Sequence, residues 1–137
     1  MTGLALENKA ALQKHFSTHC FNEAWKLIDK ENRSDEENEE MVHYAIASLF
    51  HWSKREDCTN RQKSIGCWQI SRCYALVGNL EQAEKYGKLC LKFSENEKPF
   101  YLSYAHEALA RTAALAGKTE EKNKYIKIAR NLAKKIK

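Results

Sequence analysis

Arg72-Cys73-Tyr74-Ala75-Leu76-Val77-Gly78 and Arg111-Thr112-Ala113-Ala114-Leu115-Ala116-Gly117 are one pattern written twice, 39 residues apart. The register runs on without a gap through Glu81/Glu120, Lys85/Lys124, Tyr86/Tyr125 and Lys88/Lys127. Self-similarity at this period describes a helix-turn-helix unit that cannot bury its apolar face alone, so each copy has to stack on the next.

Working outward, the 137 residues suffice for one domain over residues 1–137 with an unstapled core. The clearest repeat units lie at about 60–96 and 99–135. One proline and five glycines leave little to punctuate strands, and Ala, Leu, Lys and Glu abound, so the expected class is all-α. The cysteines, Cys20, Cys58, Cys67, Cys73 and Cys90, are odd in number and form no C-x-x-C pair. Neither a disulfide framework nor a zinc knuckle is indicated, and the thiols read as small core residues in a reducing compartment. Residues 1–7 lack the basic start and apolar run of a secretory signal, and no segment approaches the ~18 apolar residues of a membrane span. A cytoplasmic location without membrane partners is the expectation.

Charge is unevenly spread. Residues 1–60 carry seven Lys and Arg against eleven Asp and Glu, net −4, whereas residues 61–137 carry sixteen against seven, net +9. Such a field can orient an acidic partner during encounter.

Helical periodicity predicts about seven antiparallel helices. The first covers about residues 3–16 and the second 21–30, with Phe21, Ala24, Trp25 and Ile28 at i, i+3, i+4, i+7. Ser34 and Glu37 form a capping box opening a third helix to about Lys54, and Asp35-Glu36-Glu37 suits its positive end. Thr59 or Asn60 caps a fourth helix ending at Gly78, and residues 79–94 form the fifth. Pro99 opens a sixth, ending at Gly117, and Thr119 caps a seventh. On that last helix Tyr125, Ile128, Ala129, Leu132 and Ile136 form an apolar stripe, as a terminal capping helix requires.

Gly78 at the inter-helix turn, Ile70-Ser71 as a large-small pair, Tyr74, and the small residues Ala83 and Cys90 together resemble a tetratricopeptide repeat (TPR-like). The second copy supplies Leu109-Ala110, Gly117 and Ala129, with Ala113 in place of the aromatic, Lys122 in place of the first small residue, and Gly87 of the first copy standing where an aromatic is expected. The period exceeds the family's usual 34 residues, the excess falling around residues 95–102, so the likeness is to a divergent relative. It covers residues 65–137, and Phe21-Asn22-Glu23-Ala24-Trp25-Lys26-Leu27-Ile28 is similar to a second helix of such a unit. His51-Trp52, Trp68-Gln69-Ile70-Ser71-Arg72 and residues 104–111 also resemble a group of small bacterial proteins with no assigned activity. The resemblance implies a right-handed α-α superhelix whose first helices line a concave groove.

In that register Trp68 and Arg72 face the groove from one helix, and Tyr104, Glu107 and Arg111 from the next. Arginines fork onto carboxylate or phosphate, and flat aromatic surface takes a side chain or ring. A binding module for a protein, peptide or small anionic ligand is the expected function, with His51, Trp52 and Gln69 as further ligand-binding residues and Arg61 near the groove's end. The competing structural reading makes Glu107–Arg111 an i,i+4 helix pair worth only ~0.2–0.5 kcal/mol.

Two alternatives come from other classes. In one, His51 is the acid/base of a small enzyme with Arg72 on an oxyanion, although no cysteine or serine stands in a nucleophile setting and no catalytic residue is assigned. In the other, the short solenoid self-associates as a homodimer. His15, His19 and Cys20 have metal-like spacing, but Ser17-Thr18 favours a helix end there, so no metal or cofactor is expected. The lysines of residues 118–137 lack interleaved surface aromatics, and acidic Glu120-Glu121 open their helix, which makes a solvated face the stronger reading than nucleic-acid binding.

Overall fold

The computed structural model describes residues 3–136. Among them it has six α-helices and no strand: α1 (Gly3–Ile28), α2 (Asp35–Ser53), α3 (Asn60–Leu76), α4 (Leu80–Ser94), α5 (Pro99–Leu115) and α6 (Thr119–Ala133). The chain is all-α, and it divides into two compact units, Met1–Thr59 and Asn60–Lys137. No helix among the described residues is long and apolar enough to cross a membrane.

One helix stands where two were expected, because Ser17 and Thr18 do not end α1. Their hydroxyls fold back inside the helix, Ser17 Oγ donating to Lys14 O (2.9 Å) and Thr18 Oγ1 to Lys14 O and His15 O (3.2 Å each). Serine is a poor helix residue in isolation, but tertiary packing overrides that propensity. Ser17 is fully buried, and its carbonyl accepts from Ser48 Oγ on α2 at 2.8 Å. Ser17, Cys20, Ala24 and Ile28 form the buried stripe of α1, against Met41, Val42, Ala45 and Ser48 of α2. Ser48 meets Ser17 and His51 meets Gln13, so the first unit is an antiparallel hairpin.

Its turn is fastened from both sides. The Arg33 guanidinium donates to the carbonyls of Leu27, Ile28 and Lys30, at and just beyond the end of α1, while its Nε donates to Asn38 Oδ1 at 2.7 Å. The capping box opens α2 as expected: Glu37 N donates to Ser34 Oγ (3.1 Å) and Ser34 N to Glu37 Oε1 (3.0 Å). Lys30 closes an ion pair on the same glutamate, and its hydrogen bond, ahead of the Ser34 amide, holds the Glu37 carboxyl below its ordinary range.

In the second unit the sequence repeat is a structural repeat. Adding 39 to the bounds of α3 gives those of α5, and the same shift carries α4 onto α6. Each first helix ends on a positive-φ glycine, Gly78 (81°) and Gly117 (75°). Gly78 N donates to Ala75 O and Asn79 N to Tyr74 O; Gly117 N donates to Ala114 O and Lys118 N to Ala113 O. These are two equivalent Schellman closures, and only glycine takes that backbone without strain. The closure also corrects one expectation. The residue after the glycine must serve as the next N-cap, so Lys118, not Thr119, occupies that position in α6 and offers no side-chain cap. In the first copy the same place holds Asn79, whose side chain accepts from Gln82 N.

A serine ties each hairpin shut at the matching point: Ser64 Oγ donates to Cys90 O, and Ser103 Oγ to Ala129 O, both at 3.4 Å. Within its own hairpin α4 packs on α3, and between repeats both α4 and α3 pack on α5. Ala83, Gly87, Cys90 and Ser94 give α4 a buried stripe of small residues for this double contact. Gly87 has no room for a side chain, because the buried Leu109 of α5 already fills that space; a Cβ there would lie 2.9 Å from Leu109 Cδ2. Helix α6 packs on α5 alone among the helices and has no fully buried residue. Its expected stripe is half-buried as far as Leu132, with Ile136 exposed beyond the helix end.

Candidate functional site

Helix α5 presents Phe100, Tyr104, Glu107 and Arg111 at i, i+4, i+7 and i+11, which is one stripe of a 3.6-residue helix. The equivalent stripe of α3 is Arg61, Ile65, Trp68 and Arg72. The two meet through rings. Trp68 lies edge-on to Tyr104 with centroids 5.6 Å apart, and Tyr104 lies edge-on to Phe100 at 4.9 Å. Edge-to-face pairs at these separations are favourable, worth ~0.5–1.5 kcal/mol each beyond their buried area. Phe100 remains 45% and Tyr104 39% exposed, so this aromatic floor reaches solvent.

At the far end of the stripe, Arg111 Nη2 is ion-paired with Glu107. Its Nη1 is buried and has no hydrogen-bond partner among the described residues. A buried donor without an acceptor costs ~1–3 kcal/mol, more when it belongs to a charged group. The guanidinium is thus half satisfied.

The other anticipated positions differ. Arg72 is half-buried and already engaged within the fold. Arg61 stacks over the Tyr101 ring (4.9 Å) and donates from Nε to Glu97 Oε1 at 2.9 Å, which fixes the start of α3 to the turn before α5. Gln69 is 0% exposed: one position past Trp68, the helix turns it about 100° into the core, away from the α3–α5 face. His51 and Trp52 lie on α2 in the first unit. His51 Nδ1 donates to Gln13 Oε1 at 2.6 Å, and Trp52 carries the Arg55 guanidinium 3.7 Å above its ring.

Because α1 is continuous, His15 and His19 sit one turn apart with rings stacked at 5.5 Å, while Cys20 turns into the core. No group of three or more His, Cys, Asp and Glu among the described residues is arranged to hold a metal ion. Burial pushes the Cys67 thiol up to about 12, with the Cys90 thiol beside it adding to the rise, and pushes Cys90 itself up to about 11. Both are core residues, remote from thiolate chemistry at neutral pH.

Sequence reasoning missed Phe100, although it stands four residues before Tyr104 and therefore on the same stripe. No protein-family model, no curated protein and no solved structure matches the chain.

Proposed function

We propose that the chain is a TPR-like binding module whose α3–α5 face docks a peptide segment bearing an acidic group beside a bulky apolar side chain. Trp68, Tyr104 and Phe100 provide the apolar floor, and Arg111, steadied by Glu107, anchors the carboxylate. The observation that carries this reading is the Arg111 guanidinium, paired with Glu107 and still 26% exposed, on the same helical stripe as a solvent-reaching aromatic cluster. An incoming carboxylate meets the solvent-facing edge of this side chain beside Glu107, and a charge-assisted bond of this kind is among the stronger polar contacts available to a small surface. The net +9 of residues 61–137 favours the approach of an acidic segment. The 39-residue structural repeat, its glycine closures and the packing of α3 on α5 support the superhelical reading.

The test is selection of peptides from a displayed random library by the full chain, followed by affinity measurement against Tyr104→Ala and Arg111→Gln. The selected sequences should couple Asp or Glu to an aromatic or large aliphatic residue, and each substitution should weaken binding roughly 10-fold or more. Peptides that bind the variants as tightly as the parent chain would remove this face from consideration.

A further inference from the structure

The first unit holds a second candidate site, independent of the peptide face. A cleft of about 490 Å³ opens beside the N-terminal half of α1 and the turn that follows α2. Lys9, Gln13 and Lys14 form one wall; Lys54, Arg55, Glu56 and Asp57 form the other. Residues 1–59 carry a net charge of −4, yet four of their seven basic residues line this one cleft.

The remaining three basic residues of the unit have structural employment. Lys26 pairs with Glu23 at 2.8 Å, Lys30 pairs with Glu37, and Arg33 closes the end of α1. In the cleft, Arg55 is committed too. Its Nε and Nη2 donate to the two carboxylate oxygens of Asp57 (2.8 and 2.7 Å), its Nη1 donates to Ser17 Oγ (3.1 Å), and Trp52 supports its plane. That fork holds Asp57 below the usual carboxylate range, with the Arg55 hydrogen bond as the main cause. The side chain is only 12% exposed, so Arg55 acts as a fixed wall that neutralises Asp57.

Lys9, Lys14 and Lys54 remain. None of them pairs with a carboxylate among the described residues, and Lys54 rests over the Phe50 ring at 5.2 Å. Glu56 is the one acid of the lining not already bound. Because Gln13 Oε1 accepts from His51, the Gln13 amide nitrogen is left as a neutral donor at the same wall.

We infer that this cleft binds a phosphoryl group. Arg55, the one planar fork of the lining, is spent on Asp57 and leaves no bidentate partner for an anion, whereas three lysine point charges around an open hollow suit the spread charge of a multivalent phosphate. The group can arrive on a soluble ester or on a lipid headgroup.

The experiment titrates the ¹⁵N-labelled full chain with inorganic pyrophosphate at low ionic strength, and in parallel sediments it with phosphatidic acid vesicles. Pyrophosphate should shift the amides of residues 9–14 and 54–57, and the triple variant Lys9→Gln/Lys14→Gln/Lys54→Gln should bind about 10-fold or more weakly. The variant Lys85→Gln/Lys88→Gln/Lys92→Gln removes as many charges from the exposed side of α4 and should change affinity less than about twofold. Sedimentation with vesicles that the Lys9/Lys14/Lys54 variant abolishes also supports the site and identifies a headgroup as the source. The inference is overturned by shifts lying elsewhere, by equal loss in both triple variants, by equal affinity for tricarballylate, or by binding to neither probe.

Discussion

Gly87 is the tightest joint between the repeats, and replacing it with alanine sets two effects against each other. In an unconstrained helix Gly→Ala stabilises by about 0.8–1 kcal/mol. Here the new methyl would stand 2.9 Å from Leu109 Cδ2, 3.3 Å from Leu109 Cγ and 3.6 Å from Ser71 Oγ. Leu109 is buried and cannot swing into solvent. Overpacking of this kind costs about 1–3 kcal/mol, so Gly87→Ala should destabilise by about 1 kcal/mol net. Leu109→Ala alone should cost about 2–4 kcal/mol through the cavity it leaves. In that background the Gly87 methyl enters open space and should stabilise by about 1 kcal/mol, giving a coupling near 2 kcal/mol. Urea unfolding of the four proteins, followed by far-ultraviolet circular dichroism, measures the cycle. If Gly87→Ala stabilises the parent chain as much as it does the Leu109→Ala chain, α4 and α5 are not packed as described.

Three further outcomes follow from the same contacts. Arg111→Met keeps the stem but removes the half-satisfied guanidinium, so thermal unfolding should show stability within about 1 kcal/mol of the parent; a loss of 3 kcal/mol would make Arg111 a structural residue. Ser64→Ala should cost about 1 kcal/mol, and Ser103→Ala, at the less buried matching bond, should cost less, as urea midpoints will read. The Cys67 and Cys90 thiols are raised in the folded chain, so the stability they contribute is complete below about pH 9 and is lost as pH rises towards their folded values of about 12 and about 11. Cys67→Ala should therefore flatten the alkaline fall by up to about 1.4 kcal/mol per pH unit, and an unchanged slope would contradict the burial of that thiol.

The second unit was legible because its information is local and written twice. Two glycines at the 39-residue spacing fix both turns, and Pro99 marks a helix start that its ring geometry suits. Thr119 misled because a hydroxyl at a helix start is attractive by composition, whereas the glycine closure decides which residue becomes the cap. In the first unit, Ser17-Thr18 read as a stop because propensity is local, while the burial of Ser17 against α2 is not. Gln69 looked like a groove residue by adjacency to Trp68, yet one step along a helix is a turn of about 100°. The basic cleft was invisible for a related reason: Lys9 and Lys14 lie some forty residues from Lys54 and Arg55, and only the antiparallel register of α1 and α2 brings them together.

The central claim is that Arg111 and the Trp68–Tyr104 floor receive one ligand together. It is tested most directly by titrating a library-selected acidic peptide into the ¹⁵N-labelled chain and following two side-chain signals, the Arg111 Nε–H and the Trp68 indole N–H. The account predicts that both move along one saturation curve and that Arg111→Met abolishes the indole shift as well as its own. Movement of either signal alone, or an indole shift that survives the substitution, would contradict it.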